Sequence, residues 1–267
     1  GEPETKYYGL SQYYMGKYYN FNDSTRNAET CFKNAIKNAK DRGDIDLQCF
    51  ALEKLSRSIV LGNTPMSLSY AKQALELYKR SPNFKVDNLI YFMLNVAENF
   101  VIDKSKDSAL TYLWQAKSLM TNTTDVLVKK DVYHSLSRAF YYFDVNDSAL
   151  FYSQRTLQLV KDVKLLSFHA YCLIECDSLE SAERLLRISS AKISDKQKYS
   201  SYMELCKLSC KKNNNRQLSD DIDSLERYAD KYMLDLYSQK GKYFEETINQ
   251  GRQLERQENA VMVRNGV

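Results

Sequence analysis

A tetrapeptide that returns at a fixed distance is the feature of this sequence that most restricts its fold. Residues 107–110 read Asp-Ser-Ala-Leu, and the same four residues return 40 positions later at 147–150. A looser copy occupies residues 177–182. Self-similarity at a period of about 20–50 residues indicates an array of repeated supersecondary units. We therefore expect neighbouring repeats to stack and to share one continuous core.

The segments on either side of each copy have the periodicity of helices. Before it, large, large, small and large residues share one helix face: Met93, Val96, Ala97 and Phe100, then Tyr133, Leu136, Ser137 and Phe140. After it, small residues follow at helical spacing: Ala109 and Ala116, then Ala149 and Ser153. Small residues let two helices approach closely, so each copy predicts a helix hairpin. We expect the Asp or Ser before the alanine to cap the second helix.

The same template fits elsewhere with a looser register. Small residues of the first helices there are Gly16, Ser56 and Ala170, and the second helices that follow carry Ala28, Ser67 and Ala182. Hydrophobic residues make up 43% of the chain, while the 8 Gly and 3 Pro leave few turn signals. Long helices with short turns fit these counts better than many strands. The sequence predicts an all-α fold of about six hairpins over residues 1–217.

The last segment, residues 218–267, has a pattern of its own. Apolar residues recur there at alternating intervals of four and three: Leu218, Ile222, Leu225, Ala229, Tyr232 and Leu236. The chain becomes polar after Gln250. We expect one long helix here. It would either cap the end of the array, or begin a stalk whose coiled coil could join two copies in a dimer. We favour the cap for residues 218–248 and the stalk beyond Gln250.

These stripes resemble those of the tetratricopeptide repeat family. The shared features are a Leu/Val, small residue and aromatic in each first helix, and alanines around a large residue in each second helix. The resemblance covers roughly residues 7–220, although the 40-residue spacing exceeds the family's period of about 34. It implies a right-handed α-solenoid that binds a protein or peptide without catalysis and without a cofactor.

In this family the exposed face of each first helix lines a concave groove. Carried over to the matching stripes, the resemblance implies these groove residues: Tyr13, Lys17, Glu53, Arg57, Tyr91, Leu94, Glu98, His134, Arg138, Tyr141 and Tyr142. Tyrosine gives contact area at low entropic cost, and arginine binds carboxylates and carbonyls. The alternative is that they are ordinary solvated side chains.

The Asp-Ser-Ala-Leu turns also resemble those of tetratricopeptide sensor regions in bacterial membrane-anchored regulators. The chain begins Gly1-Glu2-Pro3 without a methionine. We therefore expect a processed protein or a fragment, with a signal or anchor outside this segment and an extracytoplasmic location, periplasmic or membrane-anchored. The alternative is a cytoplasmic regulator that captures a peptide messenger.

The sequence lacks the patterns that are typical of several classes of function. The net charge of +4 is small and spread along the chain, so we expect no nucleic-acid partner for this segment. No apolar run is long enough for a membrane span. The two histidines, His134 and His169, lie in no nucleophile, zinc-protease or phosphate-loop motif. His169 falls on the core-facing stripe, which predicts a packed neutral side chain. We do not expect an enzyme.

The six cysteines support a third hypothesis. Cys172 and Cys176, and again Cys206 and Cys210, are four residues apart, a spacing that places two thiols on one helix face. Two such pairs on successive first helices could bind tetrahedral zinc. Reduced packing cysteines are the favoured alternative, and Cys31 with Cys49 could form a disulfide in an oxidising compartment.

Overall fold

The chain is helical throughout the part that the structure describes. This computed structural model describes residues 7–22, 24–59, 64–190 and 195–229, and no β-strand occurs in those ranges. The helices are α1 (Tyr8–Phe21), α2 (Thr25–Asp41), α3 (Ile45–Ile59), α4 (Thr64–Tyr78), α5 (Val86–Ile102), α6 (Lys106–Leu119), α7 (Val126–Tyr142), α8 (Asn146–Leu159), α9 (Val163–Glu175), α10 (Leu179–Ser190) and α11 (Asp195–Lys211). Residues 215–229 are also helical. The prediction of an all-α fold is confirmed.

The chain divides into two compact units, and each is described by itself. The first unit covers residues 1–178 and contains α1 to α9, and the second covers residues 179–267. The predicted division into an array up to residue 217 and a terminal helix from residue 218 stays a prediction, because most of the terminal segment lies outside the described residues.

In the first unit, each helix packs against the next one in the chain, which gives four antiparallel hairpins, from α1/α2 to α7/α8. The first helices of successive hairpins are also neighbours: α1 contacts α3, α3 contacts α5, and α5 contacts α7. These four helices therefore form one layer. The residues on their shared face come together although they are far apart in the chain.

Each hairpin of the first unit buries a small residue in its first helix and another in its second helix. The pairs are Gly16 with Ala28, Ser56 with Ser67, Ala97 with Ala109, and Ser137 with Ala149, and all eight residues are buried. In two of these hairpins, serine hydroxyls are hydrogen-bonded between the two helices. Ser56 Oγ lies 3.0 Å from Ser67 Oγ, and Ser137 Oγ donates to the carbonyl of Ala149 at 2.6 Å. Burying a hydroxyl costs free energy unless it is hydrogen-bonded. Because these serines are bonded, they can occupy the same buried positions that alanine occupies in other hairpins.

The turns between paired helices correct one prediction. We expected the Asp or Ser before the alanine to cap the second helix, but α6 already begins at Lys106 and places Asp107 in its first turn. The N-cap is Ser105, whose hydroxyl donates to Asp103 instead of accepting from the helix. Asp107 stabilises α6 through its charge near the positive end of the helix dipole.

These turns also cap the C-terminus of the helix that precedes them. The amide of Ser105 donates to the carbonyl of Phe100, and the intervening Lys104 adopts a φ of 60°. Asp144 and Asp177 have the same positive φ after α7 and α9. This arrangement is the Schellman motif, which satisfies the last carbonyls of a helix and fixes the direction of the chain that follows.

The core of the first unit runs without a break from α3 to α9. Tyr78 is fully buried, and its ring lies 4.7 Å from that of Phe92. Its hydroxyl accepts from the amide of Lys85 and from the side chain of Asn88, each at 3.0 Å. The buried phenol is thus satisfied at the connection from α4 to α5 and ties one hairpin to the next.

The second unit contains α10, α11 and the helical residues 215–229. Ser209 Oγ on α11 donates to Asp221 at 2.8 Å, again between residues twelve apart. Arg187 on α10 lies 3.5 Å from the same carboxylate, which is almost fully buried. The hairpin geometry of the first unit is therefore repeated at this crossing.

Two further observations concern the membrane and the tail. Among the described helices, none combines the length and the apolar character that crossing a bilayer requires. The predicted apolar spacing at Tyr232 and Leu236, the stalk beyond Gln250 and the dimer that it could form all fall outside the described residues.

Candidate functional site

The layer of first helices brings distant charged residues together. Arg57 of α3 donates to Glu53 one turn earlier, and its Nη1 donates to Glu98 of α5 at 2.8 Å. Arg138 of α7 donates through Nη1 to the other oxygen of Glu98 at 3.1 Å. One carboxylate thus joins three helices of the layer. Although burial opposes it, the charges of Glu53 and Glu98 raise the pKa of Arg57 above its ordinary value.

Toward α1 the face is aromatic and basic. The ring of Tyr13 packs against Phe32 and Tyr14, and the ammonium of Lys17 lies 5.7 Å from the centre of the Tyr13 ring. Burial, together with the charge of Glu53, raises the pKa of Tyr13 to about 12. The charge of Glu53 on α3 therefore acts on the phenol of Tyr13 on α1.

Toward α9 the face is again aromatic. Burial, followed by the bonded carboxylate of Asp131, raises the pKa of Tyr91 to about 12. His134 lies edge-on to the ring of Phe168 at 5.3 Å, and Tyr141 contacts the same ring at 5.5 Å. Burial, together with the charges of Arg138 and Lys130, lowers the pKa of His134 to about 4. The histidine is neutral at neutral pH and presents a ring, not a charge.

A cavity of about 470 Å³ opens between α5 and α7. Its walls come from both helices and from α6, and they are mainly apolar: Leu94, Ala97, Val101, Ile102, Leu113, Ala139 and Tyr142. Its polar lining consists of Glu98, Lys104, Ser135 and Arg138. Cavities of this size and composition hold small ligands and peptide side chains.

Not every residue implied for the groove lies open to solvent. Glu53 and Leu94 are buried, with 7% and 4% of their surface exposed. Glu53 lies below its ion pairs with Arg57 and Lys54, and Leu94 forms a wall of the cavity. A ligand in the groove would contact Leu94 only if it entered the cavity. It would contact Arg57 and Lys54 and would not reach the Glu53 carboxylate directly.

The sequence reasoning missed three polar residues of this face. Lys104 and Ser135 line the cavity, and Asp131 bonds to Tyr91. Ser135 and Asp131 precede Arg138 by three and seven residues, so the helical spacing that selected Arg138 also selects them. Lys104 had no such signal, because it lies in the turn after α5.

The cysteines do not form a ligand cluster in the described part of the chain. No disulfide joins any of the six cysteines, including the buried Cys31 and Cys49, and no group of three or more His, Cys, Asp or Glu side chains is placed to hold a metal ion in the ranges that the structure describes. Cys176 follows the last residue of α9 and is only partly buried. The zinc hypothesis gains no support from this geometry.

A buried polar cluster surrounds Cys172 between α7, α8 and α9. Its sulfur lies 4.0 Å from Ser137 Oγ, and Ser153 Oγ lies 2.7 Å from His169 Nδ1. The residue types are those of a nucleophilic site, but burial raises the pKa of the Cys172 thiol to about 11 and lowers that of His169. A protonated thiol without access to solvent is a packing residue, not a nucleophile.

Comparison with known proteins identifies structures with a similar fold but no similar sequence. The chain matches no protein-family model and no curated protein sequence. Among solved structures, it is similar to a signal transduction ATPase with numerous domains and a tetratricopeptide repeat sensor from Pyrococcus horikoshii, with a TM-score of 0.62 and 14% identity over 88% of this chain and 39% of that one.

The described helices form a tetratricopeptide-like repeat fold. Two proteins solved in complex with a factor or a peptide are also similar in fold. A Rap protein in complex with competence and sporulation factor has a TM-score of 0.64 at 17% identity, over 92% of this chain and 75% of that one. NprR in complex with its cognate peptide NprX has a TM-score of 0.65 at 17% identity, over 85% of this chain and 66% of that one. At these identities, the likeness shows the tetratricopeptide-like fold alone.

Proposed function

We propose that this protein is a non-catalytic scaffold that binds a peptide or a segment of another protein along the shared face of α1, α3, α5 and α7. The observation that carries the proposal is the carboxylate of Glu98, which Arg57 and Arg138 share beside an apolar cavity. Arginine forks that share one acceptor keep donors free for carbonyls or carboxylates of a ligand.

The arrangement of the face favours an extended ligand. Aromatic side chains stand at both ends, with Tyr13 on α1 and Tyr141 on α7, and the charged centre and the cavity lie between them. A peptide that crosses successive first helices would meet rings, then guanidinium groups, then a cavity. Two structural neighbours were solved with a peptide or a factor bound, which supports the same class of ligand here.

We further propose that the chain is the sensor portion of a larger bacterial regulator, outside the cytoplasm and with its anchor elsewhere in the gene product. The turn sequences support this, as does a structural neighbour whose tetratricopeptide repeats are a sensor. The alternative is a cytoplasmic regulator that captures a peptide messenger. The complete gene separates the two: an encoded signal sequence or anchor favours the sensor, and a leaderless gene with a DNA-binding or effector domain favours the alternative.

The binding experiment starts from a random peptide display library selected on the wild-type protein. The enriched peptides are then titrated into the wild type and into the Arg57→Gln/Arg138→Gln variant by calorimetry. Glutamine is preferred to glutamate, because a new carboxylate beside Glu53 and Glu98 would repel both and unfold the face. The matched control is Lys37→Gln/Lys40→Gln, which removes two positive charges from exposed positions of α2.

We expect the arginine variant to lose at least about tenfold in affinity, since each lost charged hydrogen bond is worth about 1.5–3 kcal/mol. The control variant should bind like the wild type, and all proteins should melt within a few degrees of one another. A library that yields no peptide, or peptides that bind the arginine variant unchanged, would contradict the proposal.

A further inference from the structure

The cavity between α5 and α7 has an apolar interior and a charged mouth. Leu94, Val101 and Leu113 line it, together with Tyr142, which is exposed. Glu98 and Arg138, which form an ion pair, and the exposed Lys104 also line it, and their exposure indicates that they lie toward the opening. A side chain that entered here would be surrounded by carbon, with charges only where its backbone remains.

The charges at the mouth do not balance. Among the described residues of the cavity lining, Glu98 is the one carboxylate, and it is already bonded to two guanidinium groups, those of Arg57 and Arg138. Lys104 forms no ion pair with any other residue that the structure describes, and its side chain is exposed. The opening therefore has an excess of positive charge, because Glu98 is already paired with two arginines and Lys104 has no carboxylate partner among the described residues.

The position of Lys104 is fixed by the fold. Its amide donates to the carbonyl of Val101, and its φ of 60° belongs to the turn that ends α5. The turn holds the root of the side chain at the edge of the cavity, so only the flexible stem has to move to meet a ligand. A cation held in this way loses less entropy on binding than one on a free loop.

We propose that this cavity is a subsite for an apolar side chain that has a carboxylate next to it in the ligand. The apolar group occupies the space between α5 and α7, and the carboxylate binds Lys104 and Arg138 at the opening. The proposal rests on the proposed function, since it names the chemistry that the peptide presents at one point of the groove. The carboxylate can come from an acidic side chain or from the free carboxyl terminus of the peptide.

The same geometry disfavours the opposite charge. A lysine or arginine of the ligand would face Lys104 and Arg138, and Glu98 could bind it only by giving up one of its two present partners. Like charges at short range cost affinity, and a broken ion pair adds to that cost. A cationic ligand should therefore bind more weakly than a neutral one of the same shape.

The test uses fluorescein-labelled peptides of one Gly-Ser backbone and fluorescence anisotropy at fixed ionic strength. The first set compares Leu-Asp with Leu-Asn, Leu-Lys and Ala-Asp at the centre, all with amidated ends. The second set ends in Leu, either with a free carboxylate or with an amide. We expect Leu-Asp or the free-carboxylate peptide to bind at least about tenfold more tightly than its neutral counterpart, and Ala-Asp to bind about tenfold more weakly than Leu-Asp.

Three variants locate the effect. Ser135→Trp fills the cavity and should abolish the preference for Leu over Ala. Lys104→Glu should reverse the charge preference, so that Leu-Lys binds more tightly than Leu-Asp. Lys37→Gln, an exposed change on α2, should leave every affinity unchanged. Lys104 is exposed, so its variant keeps the test decisive if the tryptophan variant does not fold.

Each outcome decides the subsite separately from the groove. Peptides that bind without regard to the carboxylate, or a Lys104→Glu variant that keeps the wild-type preference, would overturn the subsite. Absence of binding by every acidic peptide at millimolar concentration would do the same. The Arg57→Gln/Arg138→Gln variant then tells whether library peptides still need the groove, so the proposed function can stand after the subsite has failed.

Discussion

The guanidinium of Arg138 donates a hydrogen bond of 3.1 Å to Glu98, which lies 40 residues earlier in the chain and on the neighbouring first helix. The separation equals the repeat that is visible in the sequence. Because Arg57 donates to the other oxygen of the same carboxylate at 2.8 Å, the Glu98 side chain links three hairpins.

We expect Glu98→Gln to reduce the free energy of unfolding by about 1 kcal/mol, since a partly exposed network of this kind is worth more than one isolated surface pair. The loss should shrink at high salt, which screens the repulsion between the two guanidinium groups left behind. Urea unfolding at low and high ionic strength measures both effects. Glu76→Gln is the control, because its pair with Lys79 is exposed and local, and it should change little.

Gly16→Ala should destabilise the first hairpin. A Cβ at this position would lie 2.6 Å from the ring of Phe32, which is itself fully buried and cannot move away. Alanine gains about 1 kcal/mol of helix propensity over glycine, but forced overpacking costs about 1–3 kcal/mol, so we expect a net loss.

Thermal unfolding of Gly16→Ala, of Phe32→Leu and of the double variant separates the two contributions. The smaller leucine leaves space for the new methyl group, so the double variant should lose less than the sum of the single variants. Additive losses would show that the clash does not govern the effect.

Because of His134, we expect the free energy of unfolding to depend on pH between about pH 6.5 and pH 4. Its folded pKa is lowered to about 4, whereas an unfolded histidine titrates near 6.5, so the unfolded chain binds the proton first. Stability is therefore fully present above pH 6.5 and falls as the pH drops toward 4, by about 2–3 kcal/mol for this residue.

The measurement compares urea unfolding of the wild type and of His134→Phe from pH 7 to pH 4. The variant keeps an aromatic ring against Phe168 and lacks the titrating group, while His169 and the carboxylates are common to both proteins. The wild type should lose more stability than the variant over this range. Parallel curves, or an NMR titration of His134 near pH 6.5 in the folded protein, would refute the assignment.

The cysteines should differ sharply in reactivity. Burial raises the pKa of the Cys172 thiol to about 11, and burial with the nearby charge of Asp46 raises that of Cys49 to about 12, whereas Cys210 is exposed. Iodoacetamide at pH 8 should modify Cys210 first and should reach Cys49 and Cys172 only after denaturation, because the thiolate is the reactive form. Mass spectrometry of tryptic peptides gives the order, and early labelling of Cys172 in the native protein would contradict it.

Much of the fold could be predicted because the constraint is local and repeated. Ala97 and Ser137 were selected by helical spacing alone, and both are fully buried at a crossing of two helices. Only small residues fit where backbones meet, so their recurrence marks every hairpin. The capping assignment was wrong because a helix can begin one or two residues earlier at almost no cost in free energy, as α6 does at Lys106.

The candidate site was predictable only in part. The spacing that marked Arg57, Glu98 and Arg138 indicates which face they share, but not that one carboxylate would serve both arginines. Leu94 was expected on the open groove and instead forms a wall of the cavity. That difference depends on the gap between α5 and α7, which no residue of either helix determines alone.

The sequence by itself determined the helices and their pairing into hairpins, because periodicity and residue size act within one repeat. The tertiary structure decided which charges meet, where the cavity opens and that Lys104 stands beside it without an ion partner among the described residues. Those outcomes depend on the distance and angle between neighbouring hairpins. Many side chains in the layers between the hairpins set that geometry together.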